Sequence, residues 1–126
     1  MNIYYHPLSL QHLTGDHPES PERIQAILAA LQAHGIGEQD LLQPQTVDLQ
    51  LLSEVHDPQY ISAIERVAAQ GGGYWGLDTP ISRYSYEAAC MGAGAAVSAT
   101  ESALGGTPAL SIARPPGHHA GLGIVR

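Results

Sequence analysis

The chain has 126 residues and a formal net charge of −7, and all five of its positive charges are Arg. That length suits a single domain, and the acidic balance excludes a polybasic patch for nucleic acid or lipid headgroups. The single Cys excludes an internal disulfide, and the absence of Phe beside a 44% hydrophobic content leaves a globular composition short of bulky core residues.

Met1 to Pro7 has neither the basic nor the apolar region of a signal peptide. Within it, Ile3-Tyr4-Tyr5 reads as a short strand stopped by Pro7. A helix follows after a polar stretch. Ser20 stands at its N-cap, Pro21 at the first helical position and Glu22 in the first turn, where the helix dipole favours an acid. Ile24, Ile27, Leu28 and Leu31 recur at the spacing of one helical face, and Gly35 is the expected stop. Thr46-Val47 reads as a short strand and Leu49 to Ser53 as a turn of helix. Asp57 and Pro58 open a second helix with an apolar stripe of Ile61, Ile64, Val67 and Ala68. The Gly-rich stretch from 71 to 80 reads as a loop. A third helix, from Tyr84 to Leu104, is small or apolar all round between Ala88 and Ala99, which predicts burial against a sheet or another helix. That run is too short and too weakly hydrophobic to span a bilayer. Ala109 to Ala113 reads as a short buried strand. Strands separated by helices predict an α/β class with parallel pairing, in a soluble, cytoplasmic protein without membrane contact.

The last strand runs into Arg114-Pro115-Pro116-Gly117-His118-His119-Ala120-Gly121. A loop leaving the carboxyl end of a buried strand is where open α/β sheets place their sites. Pro115-Pro116 stiffens the loop, and two adjacent imidazoles then sit on a rigid support. Such a pair divides labour, one ring neutral as proton acceptor and the other charged as an electrostatic stabiliser. A bare His-His dipeptide carries no such meaning; the stiff lead and the strand before it supply it. Elsewhere the plainer readings hold. His17 and His56 read as structural, Cys90 as a small buried hydrophobe, and His6, His12 and His17 fit no zinc spacing.

The string RPPGHHAG resembles the active-site signature of the histone deacetylase superfamily, particularly its bacterial and class II-like members and the acetylpolyamine amidohydrolases. Asp16-His17-Pro18-Glu19-Ser20-Pro21-Glu22-Arg23, Val55-His56-Asp57-Pro58-Gln59-Tyr60-Ile61, Gly76-Leu77-Asp78-Thr79-Pro80 and the small-residue helix Tyr86 to Ala96 resemble further family segments, in the same order. The resemblance covers residues 1 to 121 as the N-terminal part of a deacetylase-like domain. It implies a three-layer αβα, arginase/deacetylase-like fold with a parallel sheet, of which only the N-terminal portion is here. It implies zinc-dependent hydrolysis of an acetyl-amide, on acetyl-lysine or an acetylated amine. His118 and His119 take the catalytic places, the first as proton acceptor or electrostatic partner and the second as general base and then acid. Asp78 takes the place of a carboxylate gripping substrate backbone N–H groups, and Arg23 that of an Arg near the inner end of the tunnel. Plainer readings stand beside both: Asp78 as a turn former before Thr79-Pro80, and Arg23 as an ion-pair partner of Glu19 or Glu22.

After Gly121 the chain departs from the family pattern, with 122–126 as a divergent tail. The family's zinc ligands, an Asp and a His in a D-x-H motif and a second Asp, are not matched in these 126 residues, nor is its oxyanion-stabilising Tyr. The expectation is a truncated copy that binds no zinc and is inactive as it stands. The alternative is a non-catalytic binding or regulatory fragment, with self-association through an exposed sheet edge.

Overall fold

The computed structural model describes residues 1–123. Strand β1 (Asn2–Tyr5) pairs in parallel with β4 (Ala109–Ile112), in the register Ile3 to Leu110 and Tyr5 to Ile112. The pleat sends alternate side chains to opposite faces. Ile3, Tyr5 and Ile112 share one face and form the core cluster with Ile24 of α1 (Pro21–Ala33), flanked by Leu10, Leu28 and Leu31. Asn2 lies on the other face, where its amide donates to Ser102 Oγ of α4 (Ser85–Leu104) at 3.0 Å. The sheet is therefore sandwiched between α1 and α4, as an αβα arrangement requires. The long helix expected to bury against a sheet or another helix does pack on β4 and β1, and it buries residues on two sides, Ala88 and Ala95 on one and Cys90 and Gly94 on the other, where residues 45–47 cross it. Most of its remaining residues are half-buried rather than exposed.

Helix ends follow the sequence closely. Asp57 Oδ1 caps α3 (Pro58–Ala69) by accepting from the Gln59 amide at 2.8 Å. Asp48 does the same for the single turn α2 (Leu49–Leu52), accepting from Gln50 at 2.9 Å. Ser20 holds the extended N-cap conformation at α1, but its side chain makes no capping bond. Ile27, expected on the buried face of α1, is exposed.

Two other expectations are corrected. Thr46-Val47 is not a strand; residues 45–47 cross α4 instead, and the Val47 amide donates to the Cys90 carbonyl at 3.1 Å. The additional strand-like contact comes from Leu42, which bridges β1 at Tyr4. The Gly-rich stretch is not loop throughout either. Gly72–Tyr74 forms β2, which pairs antiparallel with β3 (Pro80–Ser82). Gly is depleted in strands, so at Gly72 and Gly73 the pairing is decided across the hairpin. Gly72 sits at φ +107°, with no room for a Cβ beside the Ile81 carbonyl, a conformation open to Gly and few others.

Gly94 marks the crossing of α4 by residues 45–47. A Cβ there would overlap the Gln45 carbonyl oxygen, which belongs to backbone and cannot swing aside. Gly94→Ala gains about 1 kcal/mol of helix propensity but loses about 1–3 kcal/mol or more to overpacking. The variant is expected to unfold at lower urea concentration than the parent chain, whereas Gly92→Ala, whose Cβ would meet the Ala113 methyl at 3.3 Å and the Arg114 carbonyl at 3.8 Å, is expected to stay close to it.

Candidate functional site

The carboxyl end of β4 delivers Arg114, whose side chain is 1% exposed. Burying a guanidinium is costly unless its donors are met, and here they are. Nε and Nη2 donate to the two Glu19 carboxylate oxygens at 2.6 and 2.8 Å, and Nη1 donates to the Ser9 and His12 carbonyls at 2.8 and 3.0 Å. This planar two-point pairing suits Arg specifically. It clamps the polar stretch before α1 to the start of the Pro-Pro-Gly loop. Glu19 also pairs with Arg23, its neighbour one turn on, at 3.3 Å.

His12 lies beside this pair, with Nδ1 2.7 Å from Ser85 Oγ and Nε2 3.8 Å from Glu19. Burial and the adjacent Arg114 charge push its pKa down to about 4, against the opposing pull of Glu19. Burial works against ionisation of Glu19 as well, but the Arg114 hydrogen bonds and charge outweigh it and hold the carboxyl below its ordinary range. The cluster is therefore a charged Arg–Glu pair beside a neutral imidazole.

Beyond Arg114 the loop carries His118 and His119, both exposed, with ring centroids 4.2 Å apart and planes at 50°. They open onto a cleft of about 800 Å³. Its polar side presents His12, His17, Glu19 and Asp78; its apolar side presents Tyr60, Ile61, Ile64 and the Ala89–Ala93 surface of α4. At the back, burial, the neighbouring Cys90 and Glu65 push Tyr86 up to about 12, and burial raises the Cys90 thiol, so that wall is uncharged. His56 Nδ1 donates to the Gly121 carbonyl at 2.8 Å; a carbonyl only accepts, so Nδ1 carries the proton. The Asp57 amide donates to the Leu122 carbonyl at 2.7 Å. The start of α3 thus holds the far end of the His loop through His56, and His56 also lines the cleft.

Of the four site residues read from the sequence, His118, His119 and Asp78 line this one cleft. Arg23 does not; it lies outside the cleft on α1, against Glu19. Arg114 and Glu19 sit inside the strongest motifs, yet their pairing spans 95 residues and no local spacing signals it. Ser85, the His12 partner, is equally silent in sequence. Of the divergent tail at 122–126, residues 124–126 lie outside the described residues.

Zinc would require three or more donors converging on one point. Among the described residues no three His, Cys, Asp or Glu side chains do so. The acidic and imidazole groups on the polar side are already paired: Glu19 with Arg114, His12 with Ser85, and His17 with Asp78 at 3.0 Å. The described residues do not fit a zinc site.

Parallel strands that open at their carboxyl ends onto a stiff His-His loop, over a cleft floored by a small-residue helix, define an α/β protein with its site in the usual sheet-end position. The family profile described as "Histone deacetylase domain" matches residues 17–123, and the chain belongs to the histone deacetylase family. A histone deacetylase-like amidohydrolase of Pseudomonas aeruginosa is 37% identical over 107 residues, covering 82% of this chain and 28% of that protein. A probable deacetylase of Methanothermobacter thermautotrophicus is 32% identical over 120 residues, covering 95% of this chain and 36% of that one. The crystal structure of the HDA15 HD domain superimposes with a TM-score of 0.88 at 29% identity, covering 99% of this chain and 38% of that chain. The fold is thus the deacetylase fold, and the chain spans between a quarter and about two fifths of these relatives, 28%, 36% and 38%.

The charge cluster generates two measurements. Removing Arg114 leaves the Glu19 carboxylate with only the exposed Arg23 contact and strips the Ser9 and His12 carbonyls of this donor, so Arg114→Leu is expected to lose about 3–5 kcal/mol in urea unfolding. His12 takes up its proton near pH 6.5 when unfolded but only near 4 when folded. The unfolded chain binds more protons in that window, so stability is full above it and falls as pH drops through it, by roughly 3 kcal/mol. The lowered pKa of Glu19 adds a further loss at lower pH, as that carboxylate is protonated. In His12→Gln the slope between pH 6.5 and 4 is expected to disappear.

Proposed function

We propose that this chain supplies the His pair and one wall of the substrate cleft of an acetyl-amide hydrolase site, of the class that acts on acetyl-lysine or acetylated amines. The observation that supports this reading is the convergence of His118, His119 and Asp78 on one cleft with an apolar floor. The floor suits an aliphatic chain. The His pair suits proton transfer at an amide, where one ring takes a proton from attacking water and returns it to the leaving amine. The rim carboxylate suits a backbone N–H donor. In the family the reaction is zinc-dependent; residues 1–123 offer no converging donor set for the ion, so in this reading the chain binds and positions but does not hydrolyse.

The test is titration of the chain with an acetyl-lysine peptide and with an N-acetylpolyamine, with and without zinc. The His118 and His119 ring resonances are expected to shift on binding, and no acetate is expected to form. Zinc-dependent acetate release would overturn the non-catalytic part of the reading; unmoved His resonances with both ligands would overturn the substrate part.

A second reading, a binding fragment that associates with itself, is supported by β4. Among the described residues this strand is hydrogen-bonded only to β1, and Leu110 on it is 45% exposed. Unpaired parallel edges recruit further strands. Sedimentation velocity is expected to show concentration-dependent association; a monomer throughout would exclude it.

A further inference from the structure

His17 stands just before α1, and Asp78 lies in the turn between β2 and β3, yet their side chains meet: His17 Nε2 is 3.0 Å from Asp78 Oδ1. The other nitrogen of the ring decides who donates. His17 Nδ1 is 2.9 Å from the Glu19 backbone amide. An amide N–H only donates, so Nδ1 is the acceptor and the ring proton sits at Nε2, aimed at Asp78. The Asp78 side chain is otherwise 88% exposed. A carboxylate at such a position samples several rotamers; this bond holds one of its oxygens and leaves Oδ2 to accept from a ligand. The same Glu19 whose amide orients His17 also clamps Arg114, at the root of the His118–His119 loop. Rim carboxylate and His pair are thus built out from one anchor.

We propose that His17 is the positioning residue for Asp78, presetting the rim carboxylate to receive an N–H from the substrate chain and so selecting acetylated amines whose adjacent backbone nitrogen still bears hydrogen. This rests on the reading of the cleft as an acetyl-amide site. It makes the His17–Asp78 pair a unit of specificity at the rim, separate from the proton-transfer pair deeper in the loop.

The separating variant is His17→Asn. An Asn side chain ends in an oxygen close to where His carries Nδ1, so the Glu19 amide keeps its acceptor while the reach to Asp78 is lost. Two probes are titrated into the full chain by calorimetry: an acetyl-lysine peptide, and the same peptide N-methylated at the acetyl-lysine backbone amide. For the parent chain, N-methylation is expected to weaken binding about tenfold, the worth of one charge-assisted hydrogen bond. In His17→Asn the unmodified peptide is expected to weaken by a similar factor, and the penalty for N-methylation to shrink below about twofold. A merely structural role would weaken both peptides alike and preserve their ratio, and that result overturns the proposal while leaving the cleft's function intact. A parent chain that binds neither peptide overturns the proposed function, and the positioning role with it. Nitrogen NMR of the His17 ring gives a readout independent of any ligand: a neutral ring protonated at Nε2 supports the arrangement, and one protonated at Nδ1 overturns it.

Discussion

The buried guanidinium of Arg114 is the constraint around which this chain is organised. A charge removed from water has to recover its hydration from the protein, and Arg114 does so with four hydrogen bonds, two to the Glu19 carboxylate and two to the carbonyls of Ser9 and His12. Those partners come from a segment that precedes α1, so satisfying one side chain draws the amino-terminal polar stretch over the end of the sheet. It also fixes where the chain leaves β4, because Arg114 is the first residue past Ile112 and Ala113. The loop bearing His118 and His119 therefore starts from an immobile point.

From that anchor the electrostatics of the cleft follow. Arg114 and Glu19 neutralise one another, and the Arg charge helps keep His12 unprotonated. The back of the cleft, at Tyr86 and Cys90, is neutral because burial disfavours both anions. Net charge is thus displaced toward the rim, where Asp78 stands. The cleft lining combines an exposed carboxylate at Asp78, the aliphatic side chains of Ile61 and Ile64, and the His118–His119 pair. The far end of the His loop is held separately by His56 and the Asp57 amide, which makes the loop a strap tied at both ends rather than a free excursion.

The relation to the relatives gives this arrangement its scale. A chain that aligns along nearly its whole length with 38% of the HDA15 HD domain carries one side of a larger architecture. The side it carries has its own core, because Ile3, Tyr5, Ile24 and Ile112 close on one another across the sheet. The His118–His119 loop lies on that side, while the donor set for a metal does not converge within the described residues.

Much of this was legible in the residues. The helical turn at Leu49, the helix start at Asp57, the α/β alternation and the strand before the His loop were open to reading, because caps, periodicity and loop motifs are local; Asp78 entered only through the family resemblance. The Gly72–Tyr74 strand, the crossing of α4 at Gly94 and the exposure of Ile27 were not, since each is set by what lies opposite in space. His17 shows the difference most plainly: in sequence it is one member of a motif beside α1, and only the fold brings it to Asp78, 61 residues away. Local chemistry determined which residues can start a helix, bend a loop or move a proton. Which of them meet was decided by the tertiary structure, through the need to give every buried charge, above all Arg114, a partner.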